Sequence, residues 1–491
     1  MTKIAAVIGG GVIGGGWAAR FALNGWNVQV FDPDPQAERK IGEVMANARR
    51  SMPGLTDVAL PDEGKISFHD SISDAVAGAS WIQESVPERL EIKHTTFGAI
   101  QQACDPDAVI GSSTSGFKPS ELQDGMARPN QIMVAHPFNP VYLLPLVELV
   151  PGNGIDGPMV DKAKETLTSI GMYPLHLKKE IDAHVADRFL EAVWREALWL
   201  VKDGIATTEE IDNAIRYGFG IRWAQMGLFE TYRVAGGEAG MKHFMAQFGP
   251  ALEWPWTKLM DVPEFNDELV DLIAGQSDEQ SGAYGIRDLE RIRDNNLVSM
   301  MRALKQQDWG AGRLMKAHEA TLRAGTVLAA RADDIADASQ PVLTVRRAVP
   351  LDWTDYNGHM TEAKYLQAFA DATDRFMELI GCDADYIASG GSYFTAETHI
   401  RHVDEAHAGA LIEVRTRVLM GAGKKMHLWH EMYEGDRLLA TGEHFLLHVS
   451  LQTRKPSDPS PEIEAALVRF AQGHASLPKP DGVGRYVGAP R

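Results

Sequence analysis

The residues best suited to chemistry fall into two groups near the amino end. The first is Gly9-x-Gly11-x-x-Gly14, with Gly10, Val12 and Ile13 between them and Asp32 further on. Gly9 permits a tight strand-to-helix turn, Gly11 lets a pyrophosphate approach the backbone, and Gly14 lets the helix pack closely on the strand. The start of that helix offers free N–H groups and the positive end of a dipole. Asp32 falls where a carboxylate accepts bonds from ribose hydroxyls and repels a 2′-phosphate, and no Arg directly follows it, so NAD is expected rather than NADP. The second group is Ser115, His136 and Glu148. Oxidising a secondary alcohol with NAD needs a base for the hydroxyl proton and a polar grip on the developing carbonyl. His136 is the best base, because imidazole titrates near neutral pH. Glu148 can orient its far nitrogen and stabilise the imidazolium, and Ser115 can hydrogen-bond the substrate oxygen. Local sequence alone fits a loop histidine before Pro137 equally well.

Placing these groups requires strands and helices in alternation. The apolar run Ile4 to Ile8 suits a buried parallel strand, Val12 to Asn24 a helix stopped at Gly25, and Asn27 to Phe31 a second strand ending on Asp32. Trp81 to Val86, Ala108 to Ser112, Ile132 to Ala135 and Leu146 to Val150 read as further strands, and Leu90 to Ala103 as a helix. The pattern is that of a doubly wound, mostly parallel sheet, which binds ligands beyond the carboxyl ends of its strands. Ser115, His136 and Asn139 all follow such ends.

From Ile181 to about Arg331 the sequence turns helical, with Ala186 to Lys202 a clear amphipathic helix and with the aromatics Trp223, Phe229, Tyr232, Trp254 and Trp256 beyond it. Asp187, Glu191 and Trp194 stand at i, i+4 and i+7, on one helix face. An acidic and aromatic face suits a quaternary ammonium held by cation–π contact of roughly 0.5–2 kcal/mol per ring; a core Trp beside solvated acids is the commoner arrangement, and Asp187 could equally cap the helix. Gly312 to Arg331 reads as a closing helix and Asp333 to Pro341 as a polar linker.

After Val342 comes a strand, a turn-rich loop Asp352 to Met360, one long helix from Thr361 to Ile380, and strands at Tyr393–Val403, Ala410–Met420, Lys425–Tyr433 and Arg437–Leu451, the last pair joined by a Gly-Asp-Arg hairpin. The expected organisation is multidomain: an α/β Rossmann domain over 1–181, an all-α substrate and dimerisation domain over 182–332, a linker at 333–342, an α+β domain over 343–475 and an extended tail over 476–491.

Composition narrows the classes. The 491 residues carry a formal net charge of −19, which argues against nucleic acid and an anionic membrane surface. Two distant cysteines, Cys104 and Cys382, support neither a disulfide framework nor a Cys-based metal site, and no metal is expected. No apolar run is long enough to span a membrane and the first strand begins too early for a signal peptide, so a cytoplasmic chain acting on small molecules is expected.

Residues 3 to about 330 resemble the 3-hydroxyacyl-CoA dehydrogenase family, through Thr114-Ser115, His136-Pro137-Phe138-Asn139-Pro140 and Leu146-Val147-Glu148, with matching intervals. The resemblance implies a His136–Glu148 catalytic pair assisted by Ser115, cofactor contacts at Glu88, Lys93 and Asn139, and a homodimer. Two departures stand out. Asp187, in Ala183-His184-Val185-Ala186-Asp187-Arg188, replaces the family Asn that helps bind the substrate oxygen. Pro33 to Gly64 is shorter and more mixed in charge than the family's CoA-gripping hairpin, which favours a free hydroxy acid, and the block looks most like a branch acting on a trimethylammonium 3-hydroxy acid. Asp352 to Met360 resembles the signature of hotdog thioesterases of the 4-hydroxybenzoyl-CoA type, over about 343 to 455. It implies Asp355 as nucleophile or general base, with Gly358, His359 and the following helix start around the thioester of an acyl-CoA substrate. Other branches of the dehydrogenase family, a non-catalytic protein that keeps the dinucleotide site, and a hotdog unit that only senses acyl-CoA remain as alternatives.

Overall fold

The computed structural model describes residues 3–152, 157–235, 244–246, 256–258, 266–269, 271–272, 275–276, 283–306, 308–325 and 328–485. Trp254 and the end of the expected tail lie outside the described residues. The chain divides into two compact units, Met1–Ala48 with Asp62–His318, and Arg49–Pro61 with Glu319–Arg491.

The first unit is a parallel sheet that changes direction once. Its strands are β1 (Ile4–Ile8), β2 (Asn27–Phe31), β3 (Ile66–Phe68), β4 (Trp81–Glu84), β5 (Val109–Ser112), β6 (Ile132–Pro137), β7 (Leu146–Val150) and β8 (Tyr173–His176), in the order β3-β2-β1-β4-β5-β6-β7-β8. All neighbours pair in parallel except β6 and β7, which are antiparallel. Ile8, Ile82, Ile110 and Val134 on the central strands are buried against Phe97 and Ile100. The helices introduced here are α1 (Val12–Ala22), α2 (Ala37–Ser51), α3 (Ile72–Val76), α4 (Leu90–Ala103), α5 (Pro119–Gln123), α6 (Pro158–Ser169) and α7 (Ala186–Lys202).

Sequence reading did not find β3 or β8. Both are edge strands, short and only half-buried, so neither carries the continuous apolar run by which a central strand is read. It also ended β6 at Ala135; the strand continues through His136 and Pro137, so His136 belongs to the strand and not to the loop after it. The α7 helix lies where its amphipathic pattern placed it.

The second unit is an antiparallel sheet of β9 (Val342–Ala348), β10 (Gly391–His402), β11 (Leu411–Ala422), β12 (Lys425–Glu434) and β13 (Arg437–Ser450), in the order β10-β13-β12-β11-β9, with the short β14 (Lys455–Pro456) on β13. The long helix is Glu362–Leu379, and its buried residues Tyr365, Ala368, Phe369, Ala372, Thr373 and Phe376 recur at helical spacing. It approaches the sheet closely where β13 has Gly442: a Cβ there would stand 2.8 Å from the Phe369 ring. A long helix laid on an antiparallel sheet is the arrangement of a hotdog unit.

A second helix, Pro461–His474, was missing from the sequence reading. It buries Ile463, Leu467, Phe470 and His474. The β11 bulge between Val418 and Met420 turns the Val418 N–H out of its ladder, and His474 Nδ1 accepts it at 2.9 Å. Residues 333–342, expected as a linker, run along this helix: Arg469 donates to the Ala332 and Ile335 carbonyls, and Gln340 O lies 2.8 Å from His474 Nε2. Residues 49–61, expected only as helix and loop, bury Met52, Leu55 and Val58 in this unit, where the Ala59 N–H donates to Arg346 O and Asp57 pairs with Arg347 at 2.7 Å.

Candidate active sites

The Gly-rich turn of the first unit is shaped as its motif requires. Gly9 has φ of +101°, and a Cβ on it would lie 2.5 Å from Ser85 O. A Cβ on Gly14 would lie 1.8 Å from Gly9 O, so nothing larger fits between helix and turn. Beside Gly11, by contrast, a Cβ would meet nothing within 4 Å. The turn is therefore closed on the protein side and open on the other, the shape a pyrophosphate needs. Gly11 caps α1 without a side-chain bond, which leaves the helix start to a ligand. Val12 is exposed and Ile13 half-buried beside it. Asp32, at the end of β2, accepts from Gly10 N at 2.5 Å and Asp34 N at 2.7 Å, which fixes its carboxylate at the mouth of the turn. Gly11, Val12, Asn139 and Tyr142 line one cleft. These residues fit a dinucleotide.

Next to the turn, at the end of β4, lies a charge cluster. Lys93 on α4 is buried, with Nζ 2.9 Å from Glu84 Oε1 and 3.1 Å from Glu88 Oε2. Glu88 in turn accepts from Thr114 Oγ1 and, at 3.2 Å, from Gly116 N. Burial holds the Glu88 carboxyl up, but the bonds from Thr114 and Lys93 outweigh it and leave its pKa below the usual range. Glu84 is the reverse case: burial dominates and pushes it up despite Lys93 and Ser112. Sequence reading chose Glu88 and Lys93 and missed Glu84, although an acid at a strand's carboxyl end is the available signal.

His136 and Glu148 are direct partners across the β6–β7 pair, and Nδ1 lies 3.0 Å from Glu148 Oε2. The other Glu148 oxygen accepts from Val185 N at 2.8 Å and Ala186 N at 2.9 Å, at the start of α7. Burial alone would raise the Glu148 carboxyl; the bonds from His136, Ala186 and Val185 hold it below the usual range. On the far side of the ring, Asp187 Oδ2 stands 3.7 Å from His136 Nε2. Burial raises the Asp187 pKa, opposed by His136 and reinforced by Glu148. The imidazole thus sits between two carboxylates, with Glu148 on its inner nitrogen and Asp187 on its outer one.

His184 is the residue sequence reading passed over. It is fully buried at φ of +50°, its ring centre 5.7 Å from that of His136, with Nε2 3.4 Å from Thr114 O. Burial and the neighbouring His136 both lower its pKa, against the opposing pull of Glu148. Ser115, adjacent to Thr114, is exposed on the loop after β5. Of the other two members of the α7 face, Glu191 pairs with Arg195 at 3.7 Å and adds to the upward push on the Asp187 pKa, and Trp194 is 54% exposed.

In the second unit, Asp355 sits in a tight turn. Its Oδ1 accepts from Asn357 N at 2.8 Å and His359 N at 3.2 Å, and Gly358, at φ of +79°, donates its own N–H to Asp355 O at 3.0 Å. The Gly358 N–H is thus bonded within the turn. Thr361 begins the long helix directly after.

Comparison with known proteins agrees with both units. Family models described as "3-hydroxyacyl-CoA dehydrogenase, NAD binding domain", "3-hydroxyacyl-CoA dehydrogenase, C-terminal domain" and "Thioesterase-like superfamily" match residues 4–181, 184–265 and 349–467. Among solved structures, an NAD-dependent dismutase, 5-formyl-3-hydroxy-2-methylpyridine 4-carboxylic acid 5-dehydrogenase, covers 62% of this chain and 99% of its own with a TM-score of 0.53 at 26% identity. Fold and site together define an NAD-dependent dehydrogenase of the 3-hydroxyacyl-CoA dehydrogenase class joined to a hotdog thioesterase. A protein of Ruegeria pomeroyi named L-carnitine dehydrogenase/betainyl-CoA thioesterase is 72% identical over 99% of each chain, and one of the same name from Agrobacterium fabrum is 57% identical over 98% of each. An L-carnitine dehydrogenase of Pseudomonas putida is 49% identical over 62% of this chain and 94% of its own. The chain belongs to the family of these two-module L-carnitine dehydrogenase/betainyl-CoA thioesterases.

Proposed function

We propose that the chain oxidises L-carnitine to 3-dehydrocarnitine with NAD and hydrolyses betainyl-CoA to glycine betaine and CoA. The observation that carries this reading is the 72% identity to a relative of that name across both units in the same order, joined to a site with the groups such a reaction needs.

In the dehydrogenase, bound NAD supplies the hydride acceptor. Gly9 to Gly14 and Asp32 hold its phosphates and ribose, and Glu88, Lys93 and Asn139 complete the binding side. His136 Nε2 takes the hydroxyl proton as the carbinol carbon loses its hydride. Glu148, fixed by two backbone N–H groups, holds the ring through Nδ1 and stabilises the imidazolium. Ser115 hydrogen-bonds the substrate oxygen from its exposed loop. Carnitine carries its trimethylammonium one carbon from the hydroxyl carbon, so a hydroxyl at His136 Nε2 brings the cation beside Asp187. Glu191 and Trp194 extend that face toward solvent. In the thioesterase, Asp355 acts on the thioester carbonyl as nucleophile or base, with the helix start after Thr361 and the segment Gly358–His359 around it.

Exposed Phe189, Leu190, Val193 and Trp194 on α7 support a homodimer through the helical domain. Buried free Cys104 and Cys382 suit a reducing cytoplasm. Among the described residues no helix is long and apolar enough to cross a membrane. One preparation tests the division of labour: His136→Gln should abolish NADH formation and spare betainyl-CoA hydrolysis, and Asp355→Asn should do the reverse. If either variant kept its assigned reaction, the assignment of that site would fail.

A further inference from the structure

His359, Glu405 and His407 come together on the second unit, although 45 residues of chain separate the first two. The order β10-β13-β12-β11-β9 makes them neighbours: the segment between β10 and β11 runs beside the Asp355 turn. Backbone pairing sets the spacing. His359 and His407 form an antiparallel bridge, and the Met360 N–H donates to Ala406 O at 2.7 Å. Ala406 is fully buried, so in this extended segment its neighbours Glu405 and His407 project together to the opposite side, where His359 meets them.

The ligand atoms of the three side chains all lie within 4.8 Å of one another. His359 Nε2 and Glu405 Oε2 are 3.1 Å apart, and the two imidazole rings are centred 4.8 Å apart. Donor atoms around a tetrahedral zinc ion stand roughly 3.3 Å from each other, so the observed spacing needs only side-chain rotation to close on an ion. His407 shows a further feature of metal ligands: its Nδ1 lies 3.3 Å from Gly358 O, which orients the ring and leaves Nε2 as its second ligand nitrogen. Nothing in sequence order suggests this set, since no two of the three share a zinc-finger spacing.

We propose that His359, Glu405 and His407 bind a divalent transition-metal ion of the zinc class. The carboxylate alone would accept a hard cation, but the two imidazoles are borderline donors that suit Zn²⁺, Co²⁺ or Ni²⁺ over Ca²⁺ or Mg²⁺. Three protein ligands on an accessible surface leave a coordination position open. The ion would tie the Asp355 turn to the segment before β11, because the His359 N–H is itself bonded to Asp355 Oδ1.

The test is titration of the untagged full-length chain with Co²⁺ alone, followed by visible d–d absorption and by calorimetry, then displacement with Zn²⁺. The wild type is expected to bind one Co²⁺ per chain at this site, with Zn²⁺ displacing it, and His407→Ala and Glu405→Gln should each weaken binding at least tenfold. Both residues are exposed, and circular dichroism of each variant checks that the fold is kept. A wild-type chain that binds no Co²⁺, or variants that bind it as tightly as the wild type, would overturn the proposal.

Discussion

Glu148 faces His136 as its register partner across the single antiparallel pair of the first sheet, with 3.0 Å between carboxylate and Nδ1. The two residues we propose as the catalytic pair thus meet as register partners across the antiparallel β6–β7 pair. Replacing Glu148 by Gln keeps the shape but removes the charge that stabilises the imidazolium. We expect kcat for carnitine oxidation to fall by roughly 10²–10⁴, the usual worth of a positioned acid–base group, with little change in NAD affinity. Steady-state kinetics with an NAD binding titration check this, and a kcat within threefold of wild type would remove Glu148 from the mechanism.

Asp187 should report the substrate's charge. A unit charge about 5 Å away at an effective dielectric near 20 interacts by about 3 kcal/mol before screening, so Asp187→Asn should raise the carnitine KM roughly tenfold to a hundredfold and improve 3-hydroxy acids without a cationic group in comparison. Burial lifts the Asp187 pKa above the ordinary carboxylate range. The carboxylate therefore protonates earlier than usual as pH falls, and carnitine KM should rise on that acid side in the wild type but not in the variant. Equal KM values for both enzymes across that range would show that Asp187 does not face the ammonium.

Lys93 lies between two carboxylates in the interior. Lys93→Met would leave Glu84 buried without its partner, and breaking such a pair costs about 3–5 kcal/mol. Urea unfolding should show that loss, together with weaker NAD binding because Glu88 is released from Lys93. An unchanged unfolding midpoint would mean that Glu84 is neutral in the folded chain.

His444 gives the second unit a pH limit. It is buried against His430 and Phe369, and burial lowers its pKa from 6.5 to about 4. Because the folded value is below the unfolded one, its contribution is fully present above about pH 6.5 and is lost as pH falls toward about 4. The full shift corresponds to roughly 3 kcal/mol at 1.36 kcal/mol per unit. His444→Leu should flatten thermal stability between those pH values. A variant with the same pH slope as wild type would assign acid sensitivity to other groups, His430 first among them.

The parts of this fold that were legible in sequence are those with strong local signals. The Gly9 to Asp32 segment carries turn, helix and acid in order, and α7 and the Glu362–Leu379 helix have full amphipathic periods. What escaped depends on tertiary context. Edge strands Ile66–Phe68 and Tyr173–His176 lack apolar runs; the helix Pro461–His474, by contrast, carries Ile463, Leu467 and Phe470 at helical spacing behind a Ser460 cap and was legible but overlooked. At the site, His136, Glu148 and Ser115 were candidates by residue type and Asp187 by helix spacing, and the resemblance to the dehydrogenase family assigned their roles. His184 was not among them, because its neighbourhood with His136 comes from two left-handed residues, Ala183 and His184, that no spacing rule foresees. The Glu405–His407 pair was missed for the same reason, since only the β-bridge to His359 brings it to the Asp355 turn.

The most direct test is NADH formation by the purified chain, comparing kcat/KM for L-carnitine, 3-hydroxybutyrate and 3-hydroxybutyryl-CoA. A site with Asp187 beside His136 Nε2 should turn over L-carnitine at least a hundredfold more efficiently than either 3-hydroxy compound that lacks the ammonium group, consistent with a charge contribution of about 3 kcal/mol. Comparable or better turnover of 3-hydroxybutyryl-CoA would contradict a free, cationic hydroxy acid as the substrate.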